Sequence, residues 1–211
     1  MKLAIKYILF DLDGTLINSL PLIKKTFQKV FAEMNIPWNN GEVLKTIGLP
    51  LRQICQEFAG DRNENCFKLY QTYQREEHAV LTKLYPGTLE TMQTLQSKGY
   101  TLGLVTSKRR TMVDEELIFT GLSEFFTISV TVNDTAKPKP EPDPVWKALE
   151  LLNARPDQTI YIGDSWYDLL AGQRAGVMTA GVTWGMASKE ELAEYKPDLI
   201  FDSWDEILEY F

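Results

Sequence analysis

Four short stretches of the chain combine residue types that could bind a phosphoryl group and a hard cation. Asp11-Leu12-Asp13-Gly14-Thr15-Leu16 places two carboxylates two residues apart, directly after an apolar run. Gly14 beside them permits a tight turn whose freed N–H groups can face an anion. Leu104-Val105-Thr106-Ser107-Lys108 ends a second apolar run in hydroxyl residues. There Thr106, with the backbone N–H of Ser107, suits a phosphoryl oxygen. In Lys137-Pro138-Lys139-Pro140-Glu141-Pro142-Asp143-Pro144, proline recurs at every second position. Such a stiff, extended segment can deliver a lysine to a fixed point with little loss of entropy. Ile162-Gly163-Asp164-Ser165-Trp166-Tyr167-Asp168 offers an acid at the end of a third run. Asp168 follows about one turn into a helix beginning near Ser165.

Each stretch also has a plainer explanation: an Asp-Gly turn, a helix N-cap, a surface linker, or an N-cap with an acid in the first turn. These explanations weaken together, because the acids and hydroxyls all fall where apolar runs end. Two carboxylates about 4 Å apart repel by roughly 4 kcal/mol at an effective dielectric of 20. Asp11, Asp13, Asp164 and Asp168 gathered at one point therefore require positive charge among them. All-oxygen ligands favour a hard divalent cation, and Mg²⁺ accommodates a few carboxylates together with water and a substrate phosphate. A lysine from 137–139 would supply the rest.

The elements that must position these groups alternate. Short apolar runs at 7–11, 101–107, 126–132 and 159–164, with weaker ones at 178–184 and 198–203, read as strands buried on both faces. Helical stripes such as Leu89, Met92, Leu95 and Val145, Ala148, Leu149, Leu152 lie between them. The pattern predicts a Rossmann-like α/β fold, a parallel sheet with helices on both faces and ligands at the strand C-termini. Residues 18–84 break the alternation. They contain no convincing strand, but show stripes at Leu20, Ile23, Phe27, Val30, Phe31, Met34; at Leu51, Ile54, Cys55, Phe58; and at Cys66, Leu69, Tyr70, Tyr73. We read an all-helical cap of roughly four helices at 18–84, inserted into a core formed by 1–17 and 85–211, with joints near Leu16–Ser19 and Leu84–Gly87.

Composition narrows the choice of partners. The chain has 211 residues and a net charge of −7, so a nucleic-acid backbone would be repelled. No apolar run approaches the ~20 residues of a membrane span. The start, Met1 to Phe10, has no small-residue cleavage site and reads as a buried strand rather than a signal peptide, which points to the cytoplasm. Cys55 and Cys66 fit no metal or redox spacing and read as reduced core thiols. His78 is the one histidine, which excludes a multi-histidine metal site and suits a surface or cap position.

Taken in order, DLDGTL, the strand-final Thr106, the KPxPxP lysine and GDSxxD resemble the four signature motifs of the haloacid dehalogenase superfamily. The helical insert after the first motif resembles that superfamily's cap, and the resemblance spans essentially the whole chain. It implies roles. Asp11 would attack phosphorus and become an aspartyl phosphate. Asp13 would protonate the leaving oxygen and then activate water. Thr106 would bind the transferred group, with Gly14 and Ser107 beside it. Asp164 would hold Mg²⁺ together with Asp11 and the backbone carbonyl of Asp13, and Asp168 would support the metal through water or the lysine. In relatives that lysine sits nine residues before an alanine; Ala148 selects Lys139 over Lys137. An acid two residues after the nucleophile separates this chain from dehalogenating relatives and points to phosphoryl transfer; the expected enzyme is a phosphoric monoester hydrolase.

The chain most resembles the phosphoglycolate phosphatase and bacterial pyrophosphatase branch, although Asn18 departs from an acid common in the former. Arg52, in the cap segment where relatives present a specificity loop, would hold a second anionic group of a small phosphorylated metabolite. A monomer or homodimer is expected. Two rival readings remain: a phosphosugar mutase of the beta-phosphoglucomutase type, which uses the same motifs, and a catalytically idle binding module on the same fold.

Overall fold

The computed structural model describes residues 5–211. The part of the predicted first strand before Ile5 lies outside them. Six strands form one parallel sheet: β1 (Tyr7–Phe10), β4 (Thr101–Val105), β5 (Phe126–Val130), β6 (Thr159–Gly163), β7 (Met178–Val182) and β8 (Leu199–Phe201), in the order β5-β4-β1-β6-β7-β8. β1 is central because its residues are apolar on both faces. Ile8 and Phe10 belong to one core cluster and Leu9 to the cluster on the opposite face, all fully buried. Burying a side chain such as Phe10 contributes about 1.5–3 kcal/mol, and truncating it to alanine would cost about 3–5 kcal/mol.

Helices cover both faces: α4 (Thr88–Ser97), α5 (Arg110–Thr120), α6 (Asp143–Leu152), α7 (Trp166–Ala175), α8 (Lys189–Glu194) and α9 (Trp204–Tyr210). Leu89, placed on the predicted buried stripe of α4, is instead 36% exposed, whereas Met92 and Leu95 are buried. The register aligns Phe10 with Leu104 on one side and with Ile162 on the other. The chain order reverses across β1, so the crevice beyond its C-terminal end is the expected ligand position.

Between β1 and β4 lie α1 (Leu20–Glu33), α2 (Leu51–Ala59) and α3 (Asn63–Leu81), with two 3₁₀ segments at Asn39–Thr46 and Gly60–Arg62. These elements share a core of their own, built from Phe27, Val30, Phe31, Ile54, Cys55, Cys66 and Tyr70. The Phe27 and Tyr70 rings lie 4.6 Å apart and join α1 to α3. Both cysteines are buried free thiols.

Two details correct the expectation from the sequence. Three α-helices, not four, carry this region, because the polar, glycine-containing stretch after Trp38 forms a kinked 3₁₀ segment. Two short strands also exist where none was expected. β2 (Ile17–Asn18) and β3 (Lys83–Leu84) pair antiparallel, Ile17 with Leu84 and Asn18 with Lys83. Each is two residues long and leaves no periodic trace in sequence. The ribbon lies at the predicted joints, and the Tyr85 N–H donates to the Leu16 carbonyl at 3.2 Å.

Candidate active site

The strand ends bring the acids together. Asp11 follows β1 and its N–H donates to the Ile162 carbonyl of β6 at 2.9 Å, which ties it beside Asp164. Oxygens of Asp11, Asp164 and Asp168 lie within 4.8 Å of one another, and all three residues are buried. Lys139 Nζ stands 3.0 Å from Asp11 Oδ1 and 2.5 Å from Asp168 Oδ1. Asp164 accepts from the Thr15 hydroxyl at 3.2 Å and from the Met186 N–H at 2.8 Å. Gly14 adopts φ +81°, and a Cβ there would fall 2.0 Å from Asp164 Oδ2, so only glycine fits this turn.

Three buried carboxylates thus face one ammonium. Burial pushes the Asp11 carboxyl up to about 7, against the pull of Lys139 and with help from Asp168 and Asp13. Burial, then the charges of Asp168 and Asp11, push Asp164 well above the usual carboxylate range. Asp11 Oδ1 accepts no aligned hydrogen bond although it is buried, so its contact with Lys139 is an ion pair of poor hydrogen-bond geometry. An orphaned carboxylate oxygen beside further oxygen ligands, with no nitrogen or sulfur donor in the group, fits a hard divalent cation. Asp11 and Asp164 would be its side-chain ligands.

Asp168 is differently engaged. Its Oδ1 accepts from Lys139 and from the Tyr161 hydroxyl at 2.8 Å, and its Oδ2 from the Ser165 hydroxyl at 2.5 Å and N–H at 3.2 Å. With Ser165 it forms the capping box of α7, so the plain explanation and the functional one hold together. Its oxygens are occupied by protein donors, and it reaches the site by fixing Lys139. Lys139 is 1% exposed, whereas Lys137 is exposed on the same segment.

Asp13 lines the same cavity but has partners of its own. Its Oδ1 accepts from Lys108 Nζ at 2.8 Å and from the Ser19 hydroxyl. Thr106 is buried, with its Oγ1 accepting from the Lys108 N–H at 3.2 Å, which leaves its hydroxyl proton free to donate into the site. Ser107 instead spends its hydroxyl on the Gly48 carbonyl of the cap at 2.5 Å. Between cap and sheet lies a cavity of about 280 Å³ with Asp11, Asp13, Thr106, Lys108 and Asp164 at its floor and Phe67, Arg52 and Arg109 among its walls. Arg52 is exposed, pairs with Glu64 and lies 4.1 Å from the Phe67 ring centroid. Arg109 lies 5.3 Å from the same ring, and burial, then Arg75 and Arg52, hold its pKa below the ordinary value.

Known proteins share both the sequence and this architecture. The family model of haloacid dehalogenase-like hydrolases matches residues 8–182. The chain belongs to that family. The hydrolase is 38% identical to pyrophosphatase PpaX of Anoxybacillus flavithermus over 97% of its own length and 95% of the relative's. It is 37% identical to pyrophosphatase PpaX of Bacillus pumilus, with 97% and 95% covered. Among solved structures, a predicted phosphoglycolate phosphatase from Haemophilus somnus superposes with TM-score 0.87 at 28% identity, over 98% of the hydrolase and 97% of that chain. A predicted phosphatase from Clostridium acetobutylicum gives TM-score 0.88 at 27% identity, over 99% and 98%.

The structure brings Asp11, Asp13, Gly14, Thr106, Lys139, Asp164 and Asp168 of the hydrolase into one crevice. It places Arg52 at the rim rather than in contact with the acids. Sequence reasoning missed Lys108, Glu116, Tyr161 and Arg109. Lys108 and Arg109 directly follow the Thr106-Ser107 pair, and adjacency was their available signal. Tyr161 and Glu116 look like ordinary strand and helix residues until their partners are known. Among the described residues no helix is long and apolar enough to cross a membrane.

Proposed function

We propose that the hydrolase is a Mg²⁺-dependent phosphatase of a small metabolite bearing a phosphoryl group and a second anionic group, phosphoglycolate-like or pyrophosphate. The observation that carries this reading is the orphaned Asp11 Oδ1, a buried carboxylate oxygen at the floor of the cavity beside Lys139 and Asp164. The Asp11 carboxyl, raised by burial, would be held ionised by Lys139 and a bound cation; as the carboxylate it attacks phosphorus directly and splits one hard step into two. Asp11 forms the new P–O bond while the bond to the leaving group breaks. Asp13 gives its proton to the departing oxygen and then takes one from the water that hydrolyses the aspartyl phosphate. Thr106 donates to the transferred group, and Lys139 offsets its charge. Asp11 and Asp164 would hold Mg²⁺, which would supply further charge neutralisation at the phosphoryl group.

Arg109 and Arg52 support the second anionic group. Both stand on the Phe67 ring at the cavity wall, and the crowding of Arg109 with Arg75 and Arg52 is relieved by an anion. The curated relatives named above are pyrophosphatases, and a structural neighbour is described as a predicted phosphoglycolate phosphatase. Both substrates carry two anionic ends.

The test is phosphate release from pyrophosphate, phosphoglycolate and p-nitrophenyl phosphate, with and without Mg²⁺, with Asp11→Asn as the blank. Release that needs both Mg²⁺ and Asp11 is expected. Activity in the Asp11→Asn protein would sink the proposal. Isomerisation of a sugar phosphate with little release of phosphate would turn it toward a mutase.

A further inference from the structure

A second buried charge cluster adjoins the acids and plays no part in the steps above. Lys108 Nζ contacts Glu116 Oε1 at 2.6 Å and Oε2 at 2.7 Å, besides Asp13 Oδ1 at 2.8 Å. Glu116 is completely buried on α5, yet it is a glutamate. His78, on cap helix α3, lies with Nε2 2.9 Å from Glu116 Oε1. A carboxylate can only accept, so His78 is the donor. Its ring packs against Phe119 at 5.8 Å between centroids. Burial disfavours the Lys108 ammonium, but Asp13 and Glu116 outweigh it and keep it charged.

Stability alone does not account for this arrangement. Taking ions out of water costs several kcal/mol each, and well-packed apolar residues of like volume are often as stable. Direction is what the cluster provides. Among the described residues, both hydrogen bonds accepted by the Asp13 carboxylate go to Oδ1, one from Lys108 and one from Ser19 at the cap joint. Oδ2 is left to exchange a proton. Lys108 is in turn aimed by both oxygens of Glu116, and Glu116 is met by a side chain of the cap.

We propose that Glu116 and His78 are positioning residues, which act through Lys108 to hold the Asp13 carboxylate in its acid–base orientation when the cap lies on the core. This rests on the phosphatase reading, in which Asp13 protonates the leaving oxygen as the P–O bond breaks. Lifting the cap removes His78 from Glu116 and loosens the chain at its far end. Proton donation is thereby coupled to closure through side chains from α3, α5 and the loop after β4.

The leaving group tests this. p-Nitrophenolate departs with little help from an acid, whereas an alkoxide needs the proton, and general acid catalysis is worth about 10²–10⁴-fold. Values of kcat/KM, which report the first chemical step, are measured for p-nitrophenyl phosphate and a simple alkyl phosphate with the full-length protein and Mg²⁺. For Glu116→Gln, kcat/KM on the alkyl ester is expected to fall about 10-fold further than on the aryl ester. His78→Phe, a change at a half-buried cap position, should give a smaller shift of the same sign. It serves as the readout if Glu116→Gln fails to fold. The double variant should be no more selective than Glu116→Gln alone, since residues acting through one chain are not additive. Equal losses on both esters, or independent additive effects, would overturn the proposal. Failure of the phosphatase reading is separate: it shows as activity surviving in Asp11→Asn.

Discussion

The Ser107 hydroxyl donates to the Gly48 carbonyl at 2.5 Å, so a residue at the tip of β4 holds the cap loop over the acids. Gly48 takes φ +110°, and a Cβ there would lie 2.6 Å from the Tyr167 ring. Gly48→Ala should therefore hinder closure rather than unfold the core. Strain of about 1–3 kcal/mol at such a position corresponds to a drop in kcat/KM of roughly 5- to 150-fold. Steady-state kinetics beside a thermal melt would check it; a full loss of fold would contradict it.

Lys139 and Lys137 differ in burial, and their substitutions should differ accordingly. Lys139→Met leaves Asp11 and Asp168 without their ammonium. Removing one partner of a buried pair costs about 3–5 kcal/mol. Turnover should vanish and the melting temperature should fall. Lys137→Met should alter neither. The reverse result would move the lysine assignment to 137.

The raised pKa of Asp11 predicts how the metal-free protein responds to pH. The folded carboxyl titrates near 7 and the unfolded one near 3.8, so between these values the folded state binds the extra proton. Stability contributed by this group is then lost as pH rises through that window. Relative to Asp11→Asn, metal-free wild type should lose up to about 4 kcal/mol between pH 4 and 7, from 1.36 kcal/mol per unit. Denaturant melts of both proteins at several pH values measure it. Adding Mg²⁺ should recover most of the loss. A pH-independent difference between the two proteins would contradict the assignment.

Arg109→Ala should discriminate between substrates. A hydrogen bond to a charged group is worth about 1.5–3 kcal/mol, or roughly 10- to 150-fold. The KM for pyrophosphate or phosphoglycolate should rise by that order. The KM for p-nitrophenyl phosphate, which lacks a second anionic group, should change much less. Arg52→Ala should act in the same direction but more weakly, because Arg52 is exposed and already paired with Glu64. Equal changes for both kinds of substrate would remove the arginines from substrate recognition.

Asp11, Thr106 and Asp164 could be located from the chain alone because their signal is local. Each ends or directly follows an apolar run, and parallel strands present such ends along one edge. The charge needed among those acids and the helical stripes of α1, α2 and α3 were legible for the same reason. The partnerships were not. Glu116 meets Lys108 within one loop and helix, but His78 reaches Glu116 from 38 residues away and Thr15 reaches Asp164 from 149. Whether Lys108 faces solvent or Asp13, and whether Asp168 serves a cation or a lysine, depends on side chains that only the packing of cap on sheet and helix on strand brings within 3 Å. Periodicity encodes which face of an element is buried, and carries nothing about the neighbour buried against it.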